Sequence, residues 1–562
     1  MNTKRAGIRK WIFVTMSLTL LIPILAACNF NKAKDADTRH VLRVGVTYGS
    51  KTEDSYIRQQ YTDMYEITHT NVDIEIVPAI DYNEMEYDEK TGMQKPIDVM
   101  AKVKAIMTGD NPVDVMIVDM GILSQMVNEN LLKQLEPLMK EDGIESDSFV
   151  PTVIEGIKDQ GDGYLYALAS TFMPSALYYN KKLFEKANVD APTNEMSWDD
   201  VFNLAKRMKS GEGADTVFGF SISQWGSGEN FYEFQNFTQP LQLKMYDDKA
   251  ETMTVNSPLW ENYWTKYYDL YKSHIMPRQD DIQEMYNRQN EANSNNSTNI
   301  YNPYTGRMFL TGNVAMAIGD YSLVNEIQQM NSNSEKYKID KLEFDVVSMP
   351  YFNENPGVGG TVYFNTLAGI NANAQNPEDA WDFIKFMTGK EWAKLKSRST
   401  YEMSALKDYV KVREGMDPFN IEAFTTVKPT MYSGNSLKEQ EMFQQKPNLN
   451  LISQYGNKAF SDMMQGVKTP KEALAWWQTR GTDILQKIKT QPTGEIDGVS
   501  EELYGDGGMY GGGRPMPFDH FEATTESFEE TTVDGESSSA SASASTSDEE
   551  ALKIASGEVG VE

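Results

Sequence analysis

Residues 161–208 (GDGYLYALASTFMPSALYYNKKLFEKANVDAPTNEMSWDDVFNLAKRM) constrain the fold more than any other stretch of the chain. Asp162-Gly163 is a tight-turn dipeptide, and the alternating aromatic run 164–169 after it reads as a strand. Residues 177–180 form a second short apolar run, and 181–187 have helical spacing. After a proline-containing loop, Ser197-Trp198-Asp199-Asp200 reads as a capped helix start. The Ser197 hydroxyl and an acid three residues on would face the orphan amides of the first turn. Strands and helices following each other this closely point to an α/β protein.

The same alternation continues on both sides. Residues 41–46 (VLRVGV) read as a strand ending in a loop at Thr47-Tyr48-Gly49, 72–77 alternate strictly, 96–107 look helical, and 113–118 form a buried-strand run. That order predicts a parallel sheet, whose ligands lie beyond the carboxyl ends of its strands. Tyr48 and Asp119 stand at two such ends. Further on, 217–222 read as a strand, followed by Gln224-Trp225-Gly226 and an aromatic helix at 231–237. Trp260, Trp264, Tyr267 and Tyr271 fall at helical spacing and predict a core face. A strand at 344–350 and a return run at 361–370 carrying Tyr363 come next. Asn376-Pro377 predicts a helix start with Asn capping and Pro in the first turn.

The chain has 562 residues, enough for two or three domains, and its 40% hydrophobic content supplies substantial cores. A net charge of −30 argues against a nucleic-acid partner, which a polyanion would repel. Residues 495–562 hold 17 acids against Arg514 and Lys553, a net of −15, and are rich in Gly and Ser. Residues 491–562 are therefore expected to form a disordered acidic tail, unable to bury enough to offset chain entropy. Lys4, Arg5, Arg9 and Lys10 precede an apolar run from 11 to 25 and then Leu25-Ala26-Ala27-Cys28. Basic, apolar and small-residue segments in that order read as a secretory signal over 1–27. Cys28 is the only cysteine, so no internal disulfide can form.

Residues 161–208 resemble the crossover of extracellular solute-binding proteins, the capture subunits of importers of the maltose-binding type; Asn188-Val189 stands where that family usually has Gly-Val. Four further segments resemble the family in order: Asn111-Pro112 through 139, 309–321 (FLTGNVAMAIGDY), 380–387 (AWDFIKFM), and 466–478 (GVKTPKEALAWWQ). The 25–28 segment resembles a lipobox, which implies lipidation of Cys28 and a tether over 28–39. The resemblance implies an α/β fold of two lobes joined by a hinge. The expected bounds are 40–163 with 346–400 for lobe 1, and 164–345 with 401–490 for lobe 2. It further implies a lipid-anchored protein on the outer face of the cell membrane, monomeric, working with permease subunits of an ABC transporter. Its ligand is expected to be a sugar or oligosaccharide, whose apolar faces aromatic rings can cover. The residues expected to contact it are Tyr48, Asp119, Thr171, Trp225, Tyr321, Tyr363 and Tyr455.

No motif for catalysis stands out. HExxH, GxSxG, P-loop and GxGxxG patterns are all missing, and a glycosidase acid pair leaves no local signature. The expectation is a binding protein without cofactor, resident metal or enzymatic activity. A surface glycan-active enzyme and a binding or sensing lipoprotein without a transporter remain the alternatives.

Overall fold

His40–Gly49 forms strand β1, pairing in parallel with β2 (Val72–Asp81) on one side and β3 (Val115–Ile117) on the other. Val44, Val115 and Ile74 are all buried there, as strands covered on both faces require. In this computed structural model, residues 39–504 are described apart from 88–94, 96, 119, 225, 296–301, 431–441, 444 and 495.

Strand β4 (Leu168–Met173) belongs to the same sheet and ends at Pro174, and β5 (Ser175–Asn180) then opens a second sheet. One residue thus separates the two lobes, and lobe 1 extends to 173 rather than 163. The second sheet has the order β6-β7-β5-β8, with β6 Phe218–Ser221, β7 Val314–Asp320 and β8 Phe344–Val347. After β8 the chain forms β9 (Val358–Thr361) and returns as β10 (Tyr363–Ile370), antiparallel between β3 and β4. Strand β11 (Met403–Ser404) adds to the far side of β4, although 401–490 was expected in lobe 2. The first sheet therefore reads β11-β4-β10-β3-β1-β2 and is mixed. The parallel expectation holds for β1 to β3; β10, which comes back from the second lobe, runs the other way, as does β11 beside β4.

The expected strand at 164–169 begins only at Leu168. The Leu165 amide donates to Glu136 (2.8 Å), and its carbonyl accepts from the Leu135 amide (2.8 Å), which leaves nothing for a ladder. The Ser197–Asp200 capping box forms as expected and starts the helix Trp198–Met208. A second box, Thr469 with Glu472, opens the helix Pro470–Ile488.

Lobe 2 alternates its sheet faces between two apolar clusters: Tyr178 and Ala317 face one, Leu177 and Met316 the other. The second cluster is built from rings. Trp260, Trp264 and Tyr267 on the helix Pro258–Lys272 pack with Phe231, Phe234, Phe460 and Trp477. Trp477 lies edge-on to Phe231 and Trp260, 5.4 and 5.3 Å between centroids, and donates to the Ile452 carbonyl. A Cβ at position 456 would come within 2.6 Å of the Trp477 ring, so that helix crossing requires Gly456.

The tail was expected to start at 491. Instead Ile496 and Val499 are buried against the second cluster, and Glu502 pairs with Arg480 at 2.6 Å. Two apolar side chains and one acid suffice to hold residues that composition alone marks as solvated. Residues 505–562 lie outside the described residues.

Candidate ligand-binding site

The two sheets adjoin at Pro174, whose carbonyl accepts from the Tyr321 amide at the end of β7 (3.1 Å). Beside this junction lie the last residue of β4, the first of β10 and the end of β7, while the ends of β1 and β2 lie farther along the first sheet. This is where side chains of both lobes can reach one solute.

On the lobe 1 side, register places Thr171 beside Asn365 and Ser404, and Met173 beside Tyr363. Thr171 is fully buried and donates its hydroxyl to Oε2 of Glu402 (2.8 Å), which also accepts from Asn365 Nδ2 (3.2 Å). The other carboxylate oxygen accepts from Lys396 Nζ at 2.8 Å. Glu402 is only 4% exposed, and an ionised carboxylate is tolerated at that depth because three donors replace its water. Tyr363 stands next to this group with 55% of its surface exposed. The structure thus brings together Thr171 and Tyr363, both singled out from the sequence, through a carboxylate that was not. Glu402 sits in KSRSTYEM, a segment without periodicity, and only its pairing across β4 reveals it.

Farther along the same sheet, Tyr48 is half-buried at the end of β1. Its ring stacks on Tyr82 just past β2, 6.3 Å between centroids and 12° between planes. Tyr82 is 46% exposed and was missed because nothing local distinguishes it. Asp81 beside it accepts from the Asn83 amide (2.9 Å), which holds its carboxyl below the usual range; the Lys51 amide and ammonium act the same way.

On the lobe 2 side, Gln224 donates to Asp320 Oδ2 (3.3 Å), while its own Oε1 is buried without a hydrogen-bond partner. Arg307 donates to the Gln224 carbonyl (2.9 Å) and pairs with Glu326. Asp320 also accepts from the Ser322 amide (2.8 Å). Trp225, Asp119 and Cys28, all singled out from the sequence, lie outside the described residues.

Two expected contacts are buried against the chain itself. Tyr321 is 4% exposed, with its ring edge-on to Phe424 at 5.6 Å, so the chain's own Phe424 covers the face expected for a ligand. Burial raises its hydroxyl pKa and Arg413 opposes the rise. Tyr455 lies on the helix Asn450–Met464, whose Ile452, Tyr455, Ala459 and Met463 face is buried, rather than at a strand end. Its hydroxyl donates to Glu502 (2.9 Å), and its pKa is raised by burial and by that carboxylate. A helix-face tyrosine reads like any other aromatic until its packing is known.

Among the described residues no group of three or more His, Cys, Asp or Glu is placed to hold a metal ion, and no helix is long and apolar enough to cross a membrane. The assembled groups are aromatic faces, paired carboxylates and amides, a set suited to holding a polar solute by hydrogen bonds and ring contact.

The profile described as "Bacterial extracellular solute-binding protein" matches residues 48–394. The chain is 23% identical over 227 residues to a periplasmic sn-glycerol-3-phosphate-binding protein of Agrobacterium fabrum, 39% of this chain and 52% of that one. To the Escherichia coli K12 protein of the same description it is 26% identical over 190 residues, 34% and 40% of the two chains. The chain thus spans about half or less of these curated relatives. A sugar transporter component from Rhizobium etli, solved in an open conformation, superposes with a TM-score of 0.51 at 20% identity, over 80% of this chain and 99% of its own. A family 1 extracellular solute-binding protein from Alicyclobacillus acidocaldarius gives 0.52 at 14% identity, over 80% and 100%. These structural likenesses establish the two-lobed fold.

Proposed function

From the premise that the chain belongs to the bacterial extracellular solute-binding proteins, we propose that it captures a neutral oligosaccharide between its lobes and delivers it to an ABC transporter permease. Binding would shift the lobes toward a closed form that the permease reads, with no covalent step. The observation that carries this reading is that three cations near the strand ends are held by carboxylates, Arg413 beside Tyr321 not being one of them. Lys396 is held by Glu402, Arg307 by Glu326, and Lys51 by Glu84. A phosphate would have to displace a carboxylate to gain any of these cations, whereas sugar hydroxyls donate to carboxylates and stack their C–H faces on rings such as Tyr363. The described sugar function of the Rhizobium etli protein agrees with this reading, and the glycerol-phosphate relatives supply its direct rival.

Thermal unfolding with a panel of neutral oligosaccharides and with glycerol 3-phosphate tests it, since a ligand of the folded state raises Tm by mass action. Stabilisation by at least one oligosaccharide and not by glycerol 3-phosphate is expected. Stabilisation by glycerol 3-phosphate alone, or by none of the panel, overturns the reading.

The anchor proposed for the cell surface is a lipid on Cys28, where two acyl chains would hold the protein stably. Cys28→Ala should then release the protein from the membrane fraction into the medium, and retention after a high-salt wash would refute the anchor.

A further inference from the structure

We infer that Glu402 sets the charge selectivity of the site, by neutralising Lys396 and so excluding anionic solutes. This rests on the solute-capture reading above and adds a residue that decides between two classes of ligand. The geometry is asymmetric in a telling way. Glu402 is 4% exposed, while the Lys396 side chain keeps 26% of its surface open, so the ammonium is the solvent-facing partner of the pair. Thr171 and Asn365 clamp the carboxylate from β4 and β10, and their hydrogen bonds remain available whether that group is charged or an amide. Glu402 directly precedes β11, and β11 and the strand of Tyr363 flank β4 on its two sides, close to the passage of the chain into lobe 2 at Pro174.

In this arrangement an approaching phosphate or carboxylate meets a cation whose charge is already balanced. To gain the ammonium it would have to displace Glu402, which Thr171 and Asn365 also hold in place. A neutral polyol escapes that penalty. Discrimination here arises from an unfavourable element against the wrong ligand as much as from contacts to the right one. Replacing Glu402 by glutamine keeps the side-chain shape and an acceptor for Thr171, but removes the charge and leaves Lys396 without its counter-ion.

The test is calorimetric titration at low salt of the wild type, Glu402→Gln, and Glu402→Gln combined with Lys396→Met. Each is titrated with glycerol 3-phosphate, with glycerol, and with whichever neutral oligosaccharide gives the largest thermal shift. Glu402→Gln is expected to gain at least about tenfold in affinity for glycerol 3-phosphate, corresponding to about 1.4 kcal/mol. It should gain nothing for glycerol, and the gain should shrink as salt rises. The double variant should lose the gain, which assigns it to Lys396. Thermal unfolding of each variant in buffer confirms that it is folded. A folded Glu402→Gln protein whose glycerol 3-phosphate affinity changes less than twofold, or a gain that survives in the double variant, overturns the inference while leaving oligosaccharide capture intact. A wild type that already prefers glycerol 3-phosphate overturns the functional reading itself.

Discussion

The two lobes differ in how much of their cores is built from rings. In lobe 2 the rings are turned inward: Trp264, Trp477, Tyr267, Tyr271 and Phe234 are all at most 2% exposed and pack on one another. In lobe 1 Leu42, Val44, Val103, Val115, Leu123 and Ile370 are fully buried alongside the rings of Tyr65, Phe172 and Phe383, and several tyrosines stand exposed near the ends of strands. Tyr82, Tyr363 and Tyr401 are 46, 55 and 56% exposed. An abundance of rings in a sequence is thus no measure of a ligand surface. A small four-stranded sheet must fill the space under its long helices with large side chains, and its rings are committed to that. A six-stranded sheet covered by helices can be filled largely by branched aliphatics, and several of its tyrosines are exposed near strand ends.

The comparison is broken most severely by removing a ring from lobe 2. Trp477→Ala deletes a fully buried indole and its hydrogen bond to Ile452. It is expected to cost about 3–5 kcal/mol of stability, the usual range for a buried aromatic cut to alanine. Below the lowered melting point, ligand affinity should stay unchanged. Tyr321→Ala belongs to the same class, because Phe424 covers its ring, and denaturant titration should find a loss of similar size. If Tyr321→Ala instead kept its stability and lost ligand affinity, the inward assignment of lobe 2 would fail at that position.

A smaller loss is expected at the end of the lobe. A chain ending at residue 494 lacks Ile496, Val499 and Glu502, whereas one ending at 504 keeps them. The gain from burying the two apolar side chains is offset in part by the entropy of ordering the residues that carry them, so the net loss is smaller than at Trp477. The exposed portion of the Arg480–Glu502 pair adds little. The shorter chain should therefore unfold at a lower denaturant midpoint than the longer one. Equal midpoints would return residues 495–504 to the solvated tail that their composition suggests.

Much of this arrangement was legible in the chain. The capping box at Ser197, the aromatic helix face from Trp260 to Tyr271, and the apolar strand after Pro174 follow from spacing and from side-chain chemistry. These are local signals, set by hydrogen bonds or periodicities that span a few residues. What escaped is non-local. Asn376 was expected to cap its helix, yet its side chain reaches Val41 and Asp114, far away in sequence, and makes no cap bond. Glu402 gains its role only because β11 pairs with β4, which brings it within reach of Thr171, 231 residues earlier. Tyr455 and Tyr363 look alike as aromatic residues near apolar runs; one is 1% exposed and the other 55%, and only the sheet register and helix packing separate them.

Tyr363 is where the comparison can be sharpened with the smallest perturbation. It lies at the first position of β10, opposite Met173, with more than half of its surface in solvent. Truncating an exposed ring removes little burial, so Tyr363→Ala should change stability by no more than about 0.5 kcal/mol. If the ring covers a sugar face in the bound state, it gains burial only there, at about 25 cal/mol per Å². A contribution on the order of 1–2 kcal/mol follows, or a loss of roughly 5- to 30-fold in affinity by titration calorimetry. Tyr363→Phe keeps the ring and should retain most of the binding, which separates stacking from any role of the hydroxyl. The opposite pattern, with alanine and phenylalanine both weakening affinity equally, would assign the contribution to the hydroxyl. No change in either variant would remove the lobe 1 rim from the site and leave Tyr48 and Tyr82, the stacked pair on the neighbouring strands, as the next surface to test.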